Sequence, residues 1–276
     1  MKPAPFAYDA PETVEEALEL LAVEGEDVKV LAGGQSLVPL LTFRLARPDR
    51  LVDLNGVSEL AYLRIEGDVL RIGALARTGE LVHSAQAAAG WPLLVEAARL
   101  VGHPQIRARG TVCGSVAHAD PAAELPVALA ALDARFHLRS ARGERTLAAD
   151  ELFVSFLTTA LEPDELLVEI EVPSLPGRTG SAFVEHARTH GDFALAGAAA
   201  VVSATDVRLV LLAAGPTPIR AQAAEALAAE GAAVGEVAAE AVRELEVAGQ
   251  DADWRRALLR ELAHQALATA AARAGA

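Results

Sequence analysis

Cysteine is almost absent from this chain of 276 residues, in which Cys113 is the single example. One thiol cannot form an intramolecular disulfide, a CxxC redox pair or the four-cysteine ligand set of an iron–sulfur cluster. We therefore expect that any iron–sulfur cluster working with this protein is bound by another chain.

Positive charge and long apolar runs are also scarce. The 24 Lys and Arg residues are outnumbered by 38 Asp and Glu residues, which gives a formal net charge of −14. This charge repels a phosphate backbone, so a nucleic acid is not an expected partner. No apolar run has the length of a membrane span, and the N-terminus lacks a basic stretch followed by an apolar one. We expect a cytoplasmic protein without a transmembrane segment.

The length and composition predict a globular protein of two domains. Apolar residues make up 52% of the chain and charged residues 22%, as is typical of a folded protein. The segment 173–180 is rich in proline and glycine, which interrupt helix and strand alike. We place the domain boundary in this segment, with one domain in residues 1–175 and the other in residues 176–276.

Residue patterns before this boundary alternate between helix and strand. Thr13 and Glu16 form a capping box for a helix whose apolar residues recur at helical spacing from Val14 to Leu21. Helices are also predicted at 78–101 and 126–132, whereas residues 105–124 have no clean periodicity. Strands are predicted at 28–32, 50–54, 63–65, 69–72, 134–139 and 166–172.

The C-terminal part reads as a small α+β domain. Strands are predicted at 181–188, 194–204 and 207–213. The alanine-rich remainder from Arg220 onward predicts two or three helices, because alanine has the highest helix propensity.

Two glycine-rich segments are candidate binding sites. The predicted strand 28–32 runs into Gly33 and Gly34, and the segment 109–121 contains further glycines and hydroxyl groups together with Asp120. Such segments can present backbone N–H groups to an anion, although a tight turn is the ordinary role of a glycine pair. Neither segment has the G-x-G-x-x-G or the G-x-x-x-x-G-K-[ST] pattern. The residues alone therefore favour an anion or dinucleotide site of another type.

Several other residues have a functional and a structural interpretation. His118 and Asp120 lack further metal ligands nearby, and His186 and His190 lie on or after a predicted strand, so we predict no metal site. Cys113 has no neighbouring His–carboxylate pair, and small-residue packing accounts for it equally well. Two arginines flank the second segment, Arg107 and Arg109, and either contact phosphates or a partner or are solvated.

The sequence resembles the FAD subunits of the xanthine dehydrogenase and aerobic carbon monoxide dehydrogenase family. The segments that carry the resemblance lie on both sides of the proposed boundary: 32–37, 43–48, 51–54, 70–74, 102–115, 117–126 and 191–194. The resemblance implies an α+β fold: a two-part FAD-binding domain of the vanillyl-alcohol oxidase (PCMH) type, followed by a small domain with a three-stranded sheet and helices.

The same resemblance implies which residues contact FAD. The pyrophosphate would lie between the two glycine segments, Val101 and Ile106 near the flavin ring, Glu124 near the ribose, and Leu167 where it helps to position the ring. The implied contacts are Leu31, Ala32, Gly33, Gly34, Gln35, Ser36, Leu37, Val38, Val101, Ile106, Thr111, Val112, Cys113, Gly114, Ser115, Glu124 and Leu167. No side chain is implied to act as a catalytic acid or base.

The sequence departs from the family pattern at two places. Cys113 stands where the family often has a second glycine, and we expect FAD binding to survive this change. Some members have a lysine near the positions of Val184 and Glu185, and this sequence has none.

The family resemblance also implies partners: a large subunit that binds molybdopterin and a small subunit with [2Fe-2S] clusters, in a dimer of heterotrimers. Electrons would pass from the clusters through FAD to an acceptor, with NAD, quinone and oxygen all open. A self-contained flavin oxidoreductase is the alternative, and a non-catalytic nucleotide-binding or assembly protein is a third possibility. The substrate of the complex also stays open.

Overall fold

The structure, a computed structural model, describes residues 2–246 and 251–275. A parallel sheet of three strands in the order β1-β3-β2 comes first in the chain. Helix α1 begins as predicted, because the Thr13 hydroxyl accepts a hydrogen bond from the Glu16 N–H at 3.2 Å. The elements of this part are β1 (Ala7–Asp9), α1 (Val14–Leu21), β2 (Val28–Leu31), α2 (Leu37–Thr42) and β3 (Arg50–Asp53).

The second sheet is antiparallel and has five strands in the order β4-β5-β10-β6-β7. Its first two strands form the predicted hairpin around Gly67, with Ile65 opposite Leu70. A short second hairpin, β8 with β9, lies between α9 and β10. The strands and intervening short elements are β4 (Leu63–Glu66), β5 (Val69–Gly73), β6 (Arg135–Ser140), β7 (Gly143–Leu147), α9 (Ala149–Leu152), β8 (Phe153–Ser155), β9 (Thr158–Thr159) and β10 (Leu166–Pro173).

Six helices connect β5 to β6 and supply much of the core between the sheets. The single helix predicted at 78–101 is wrong, because Ser84 has an extended backbone and caps a new helix through the Ala87 N–H at 3.1 Å. Trp91 interrupts the helix again, and Pro92 begins the next one. The six are α3 (Thr78–His83), α4 (Ala85–Gly90), α5 (Pro92–Leu100), α6 (Pro104–Arg109), α7 (Val112–His118) and α8 (Glu124–Ala131).

The C-terminal sheet is antiparallel and has four strands, not the three that the sequence predicts. The additional strand has only two residues, which is too short to show an alternating pattern. Helix α12 packs across β11 and β12, with Ala263, Ala266 and Ala270 fully buried. The elements are β11 (Gly180–His186), β12 (Ala196–Val202), β13 (Val207–Leu212), β14 (Ile219–Arg220), α10 (Gln222–Ala229), α11 (Val234–Glu240) and α12 (Ala252–Ala274).

Helix α8 joins the C-terminal sheet to the rest of the molecule. All of its residues are buried, and it packs against α5 on one side and against β12 and β13 on the other. A helix that is apolar on every face belongs in the interior, and this burial brings Glu124, its first residue, into the core. In the described ranges, no helix combines the length and the apolar character needed to cross a membrane.

Candidate functional site

A cavity of about 980 Å³ lies where three parts of the chain meet. One wall is the segment that joins β2 to α2, and a second wall comprises α6, α7 and the start of α8. The third wall comes from the segments that precede β10 and β12. The volume is at the upper end of the range of about 300–1,000 Å³ that is usual for organic ligands. The cavity therefore suits a large organic cofactor and not an isolated ion.

The first glycine segment packs directly against the second. A Cβ atom on Gly33 would lie 2.5 Å from the carbonyl oxygen of Arg109 and 2.7 Å from the Cα atom of Gly110. Gly34 has a φ of 72°, in the left-handed region that favours glycine. Both positions thus require glycine, for different reasons: Gly33 for a close backbone approach and Gly34 for its backbone conformation.

The backbone N–H groups of this segment are free to bind a ligand. In the part of the chain that the structure describes, the N–H groups of residues 33–37 have no hydrogen-bond acceptor, and the Val38 N–H bonds to the Gly34 carbonyl at 3.0 Å. Consecutive donors of this kind form an anion-binding concavity. The segment also leads into α2, whose N-terminal end carries a partial positive charge. This wall of the cavity therefore favours a phosphate group.

Residues 111–115 of the second glycine segment form the N-cap and the first turn of α7, a helix that the sequence does not predict. The Thr111 hydroxyl accepts a hydrogen bond from the Gly114 N–H at 3.0 Å, and the Ser115 N–H bonds to the Thr111 carbonyl at 3.1 Å. The Val112 N–H bonds to the Ala76 carbonyl at 3.2 Å. Most donors of this segment are therefore used within the protein, so the first segment offers more N–H groups to a ligand.

Cys113 is buried in α7, and its thiol donates to the Ile72 carbonyl at 3.6 Å. Burial raises the pKa of this thiol far above its usual range. A thiol that stays protonated is a poor nucleophile, so the geometry supports the packing role of Cys113.

Glu124 is a buried carboxyl group on the cavity wall. Burial, together with the nearby carboxylates of Glu185 and Asp120, raises the pKa of Glu124 to about 8. Glu185, on β11, has a pKa raised by burial to about 7, and its buried Oε2 atom has no hydrogen-bond partner within the described residues. Glu124 is thus largely protonated at neutral pH, when it can donate as well as accept a hydrogen bond.

Most of the residues implied by the family resemblance line the cavity. Three do not: the Val112 side chain is fully buried in the core, Val38 is 47% exposed, and Leu31 ends β2 beside Gly34. Val112 is the first residue of α7, and its side chain belongs to the buried hydrophobic core and not to the cavity wall. The residues that line the cavity are Ala32, Gly33, Gly34, Gln35, Ser36, Leu37, Val101, Ile106, Thr111, Cys113, Gly114, Ser115, Glu124 and Leu167.

The third wall contains residues to which the sequence assigned no role. Arg188, Asp192 and Phe193 lie between β11 and β12, and Leu161 and Glu162 precede β10. Phe193 is 72% exposed in the protein alone, although it lines the cavity. The signal in the sequence was the segment 191–194, which carries part of the family resemblance without an assigned role.

The two arginines that flank the second segment take part in hydrogen bonds within the protein. The Arg107 guanidinium donates to the carbonyl groups of Val101 and Gly102 at 3.0 and 2.8 Å, which fixes the end of α5. Arg109 contributes its carbonyl oxygen, which accepts a hydrogen bond from Arg77 at 2.6 Å. Neither side chain lines the cavity.

The described residues contain one cluster with metal-ligand chemistry, and it lies outside the cavity. His137, Glu169 and Glu171 could offer ligand atoms within 4.8 Å of one another. Arg71 already pairs with the two carboxylates, at 2.5 Å for Glu169 and 3.1 Å for Glu171. The guanidinium of Arg71 thus neutralises the negative charge that would attract a cation. His118 and Asp120 are not part of this cluster.

Residues 4–175 match the family described as the FAD binding domain in molybdopterin dehydrogenase. The alpha subunit of the 6-hydroxypseudooxynicotine dehydrogenase complex of Paenarthrobacter nicotinovorans is 43% identical, with 99% of this chain and 97% of the relative covered. The carbon monoxide dehydrogenase medium chain of Hydrogenophaga pseudoflava is 38% identical, with 99% of each chain covered.

The fold also matches that of a solved relative. A structure of carbon monoxide dehydrogenase from Hydrogenophaga pseudoflava, which lacks the Mo-pyranopterin moiety of the molybdenum cofactor, has a TM-score of 0.94 at 40% identity. The match covers 99% of this chain and 99% of that chain, so it includes the C-terminal sheet as well as the cavity. This chain therefore belongs to the FAD-binding medium subunits of the molybdenum hydroxylases, the family of carbon monoxide dehydrogenase and xanthine dehydrogenase.

Proposed function

We propose that FAD binds in the cavity between the two glycine segments, with its pyrophosphate at residues 31–38 and 111–115. The observation that carries this proposal is the row of N–H groups at residues 33–37, which have no acceptor in the described protein and belong to residues that line the cavity. The close contact of Gly33 with Arg109 and Gly110 supports it, because that contact holds the two segments against each other.

The apolar and carboxyl groups of the cavity fit the rest of the cofactor. We propose that Val101, Ile106 and Leu167, all of which line the cavity, contact the flavin ring and exclude water from it. Glu124 is proposed to bind ribose hydroxyl groups, since a protonated carboxyl can both donate to a hydroxyl and accept from it.

The proposed role of the chain is to pass electrons from iron–sulfur clusters on a partner subunit to an external acceptor. Bound FAD supplies the exchange between one-electron and two-electron transfer. The single cysteine supports a partner for the clusters, because the chain has too few thiols to bind one. The proposed partners are a molybdopterin-binding large subunit and a [2Fe-2S] small subunit, assembled as a dimer of heterotrimers.

The substrate of the complex is proposed to depend on another subunit. Relatives of similar identity are named for substrates as different as 6-hydroxypseudooxynicotine and carbon monoxide. The same medium-subunit fold therefore accompanies different chemistries, which supports a role in electron transfer and not in substrate choice.

We also propose the domain division at residues 175 and 176, with a FAD-binding domain of the vanillyl-alcohol oxidase (PCMH) type before it. The match of the FAD-binding family to residues 4–175 supports this boundary. The cavity has one wall in the part with the parallel sheet, between β2 and α2, and another in α6, α7 and the start of α8, which follow β5 of the antiparallel sheet. This position between the two parts supports the two-part description.

Co-expression tests this role against a self-contained flavin oxidoreductase. The chain is produced alone and together with candidate large and small subunits, and each preparation is assayed for flavin absorbance and for substrate-dependent reduction of an artificial acceptor. We expect flavin in both preparations and turnover only in the assembled complex. Substrate turnover by the chain alone would contradict the proposal and favour the self-contained enzyme.

A further inference from the structure

Two side chains behind the cavity connect the glycine segments to each other. The Asn55 side-chain amide donates to the Ala32 carbonyl at 3.0 Å, directly before Gly33. Arg77 donates through Nη1 to the Arg109 carbonyl at 2.6 Å, directly before Gly110. Each side chain thus holds a carbonyl group at the entrance to one glycine segment.

Asn55 and Arg77 also bind each other. The Arg77 Nη2 atom donates to the Asn55 side-chain oxygen at 2.6 Å, which completes a continuous path of three hydrogen bonds. The path runs from the Ala32 carbonyl through Asn55 and Arg77 to the Arg109 carbonyl. Because a guanidinium offers several donors in a fixed plane, Arg77 can bind two acceptors at once.

The orientation of Asn55 is fixed from the other side by Asp53. The Asp53 Oδ1 atom accepts from the Asn55 backbone N–H at 3.0 Å and from its side-chain amide at 2.5 Å. The Asp53 Oδ2 atom accepts from the Tyr8 hydroxyl at 2.6 Å. The amide therefore presents its nitrogen to Ala32 and its oxygen to Arg77 with little freedom to rotate.

The backbone of Arg77 holds the second segment independently of its side chain. The Thr78 N–H bonds to the Gly110 carbonyl at 2.9 Å, and Arg77 forms an isolated antiparallel bridge with Thr111. Replacement of the Arg77 side chain leaves these backbone contacts possible. The side chain can therefore be tested without removing the local fold.

We infer that Asn55 and Arg77 are positioning residues that set the spacing of the two glycine segments for FAD. This inference rests on the proposed binding of FAD between those segments. Neither residue lines the cavity, so both act on the cofactor through the carbonyl groups of Ala32 and Arg109. Gly33 directly follows Ala32 and contacts Arg109 and Gly110 of the second segment, so a change in spacing would displace the neighbouring N–H groups.

A double-mutant cycle tests this inference on the full chain. Asn55→Ala, Arg77→Met and the double variant are freed of flavin and titrated with FAD, and the visible circular dichroism of the bound flavin is recorded. Each single substitution is expected to raise the Kd for FAD about tenfold, as for the loss of a hydrogen bond to a charged group. The double variant is expected to be about as weak as the weaker single variant, because either change breaks the same path.

The FAD titration includes one variant that is expected to fold in any case and one matched control. Asn55 is exposed, so Asn55→Ala is expected to fold even if Arg77→Met does not, and it then carries the test alone. Arg139→Met is the matched control, since Arg139 pairs with Glu15 and Glu144 and does not line the cavity. The control is expected to bind FAD like the wild type.

The inference would be overturned if Asn55→Ala and Arg77→Met bound FAD with wild-type affinity. It would also be overturned if the losses of binding free energy in the two single variants were fully additive in the double variant. Failure of the folded wild-type chain to bind FAD in the same titration is a separate outcome, which would overturn the proposed function and this inference with it.

Discussion

Gly33 is the residue at which the two glycine segments touch, and the contact leaves no room for a side chain. A methyl group there would meet the Arg109 carbonyl oxygen at 2.5 Å, so the backbone must shift. Overpacking of this kind costs about 1–3 kcal/mol. The shift also moves the adjacent N–H groups that we propose for the pyrophosphate.

Gly33→Ala is therefore expected to weaken FAD binding at least about tenfold, as measured by titration of the purified chain. Gly177→Ala is the matched control, because a Cβ atom on Gly177 meets nothing within 4 Å. Equal FAD affinities in the two variants would show that the Gly33 contact does not matter for the cofactor.

Glu124 makes the stability of the protein depend on pH. Its pKa is raised from about 4.5 to about 8 by burial, so the folded chain keeps a proton that the unfolded chain releases. The stabilising effect of this protonated carboxyl on the folded chain is present in full below pH 4.5 and is lost as the pH rises toward 8.

Glu124→Gln removes this dependence and keeps the size of the side chain. In urea unfolding of flavin-free protein, we expect the variant to gain stability relative to the wild type as the pH rises from 5 to 8. The expected slope is about 1.4 kcal/mol per pH unit at most. Parallel pH profiles for the two proteins would mean that Glu124 does not carry the proton.

Helix α7 depends on the cap that Thr111 provides. The hydroxyl group of Thr111 is buried and accepts from the Gly114 N–H, one of the first donors of the helix. Thr111→Ala is expected to lower the free energy of unfolding by about 1 kcal/mol, whereas Thr111→Ser keeps the cap and most of the stability. Urea unfolding distinguishes the two, and an equal loss in both variants would assign the effect to the missing methyl group and not to the cap.

The elements that could be predicted from the sequence are those with complete local signals. Helix α1 has a cap at Thr13 and four buried residues at helical spacing, so its start was confirmed. Helix α7 was missed, because Thr111 is followed three residues later by Gly114 and not by the Glu or Gln of a capping box. Strand β14 was missed because Ile219 and Arg220 pair with residues of β13 without any pattern of their own.

At the scale of the whole molecule, the sequence predicted two walls of the cavity and not the third. The glycine segments carry a local signal, whereas Arg188, Asp192 and Phe193 reach the cavity only because the C-terminal sheet packs on α8. Contacts between distant parts of the chain follow from tertiary packing, which local patterns do not encode. The same holds for Glu124, whose raised pKa depends on burial and on Glu185 from β11.

The full chain is expected to bind one FAD in the cavity bounded by β2, α7 and the segment before β12. Titration of flavin-free protein with FAD, monitored by calorimetry and by flavin absorbance, tests this directly. We expect saturable binding of one FAD per chain and a higher unfolding temperature when FAD is present. A correctly folded chain that shows no saturable binding, or whose unfolding temperature does not respond to FAD, would contradict it.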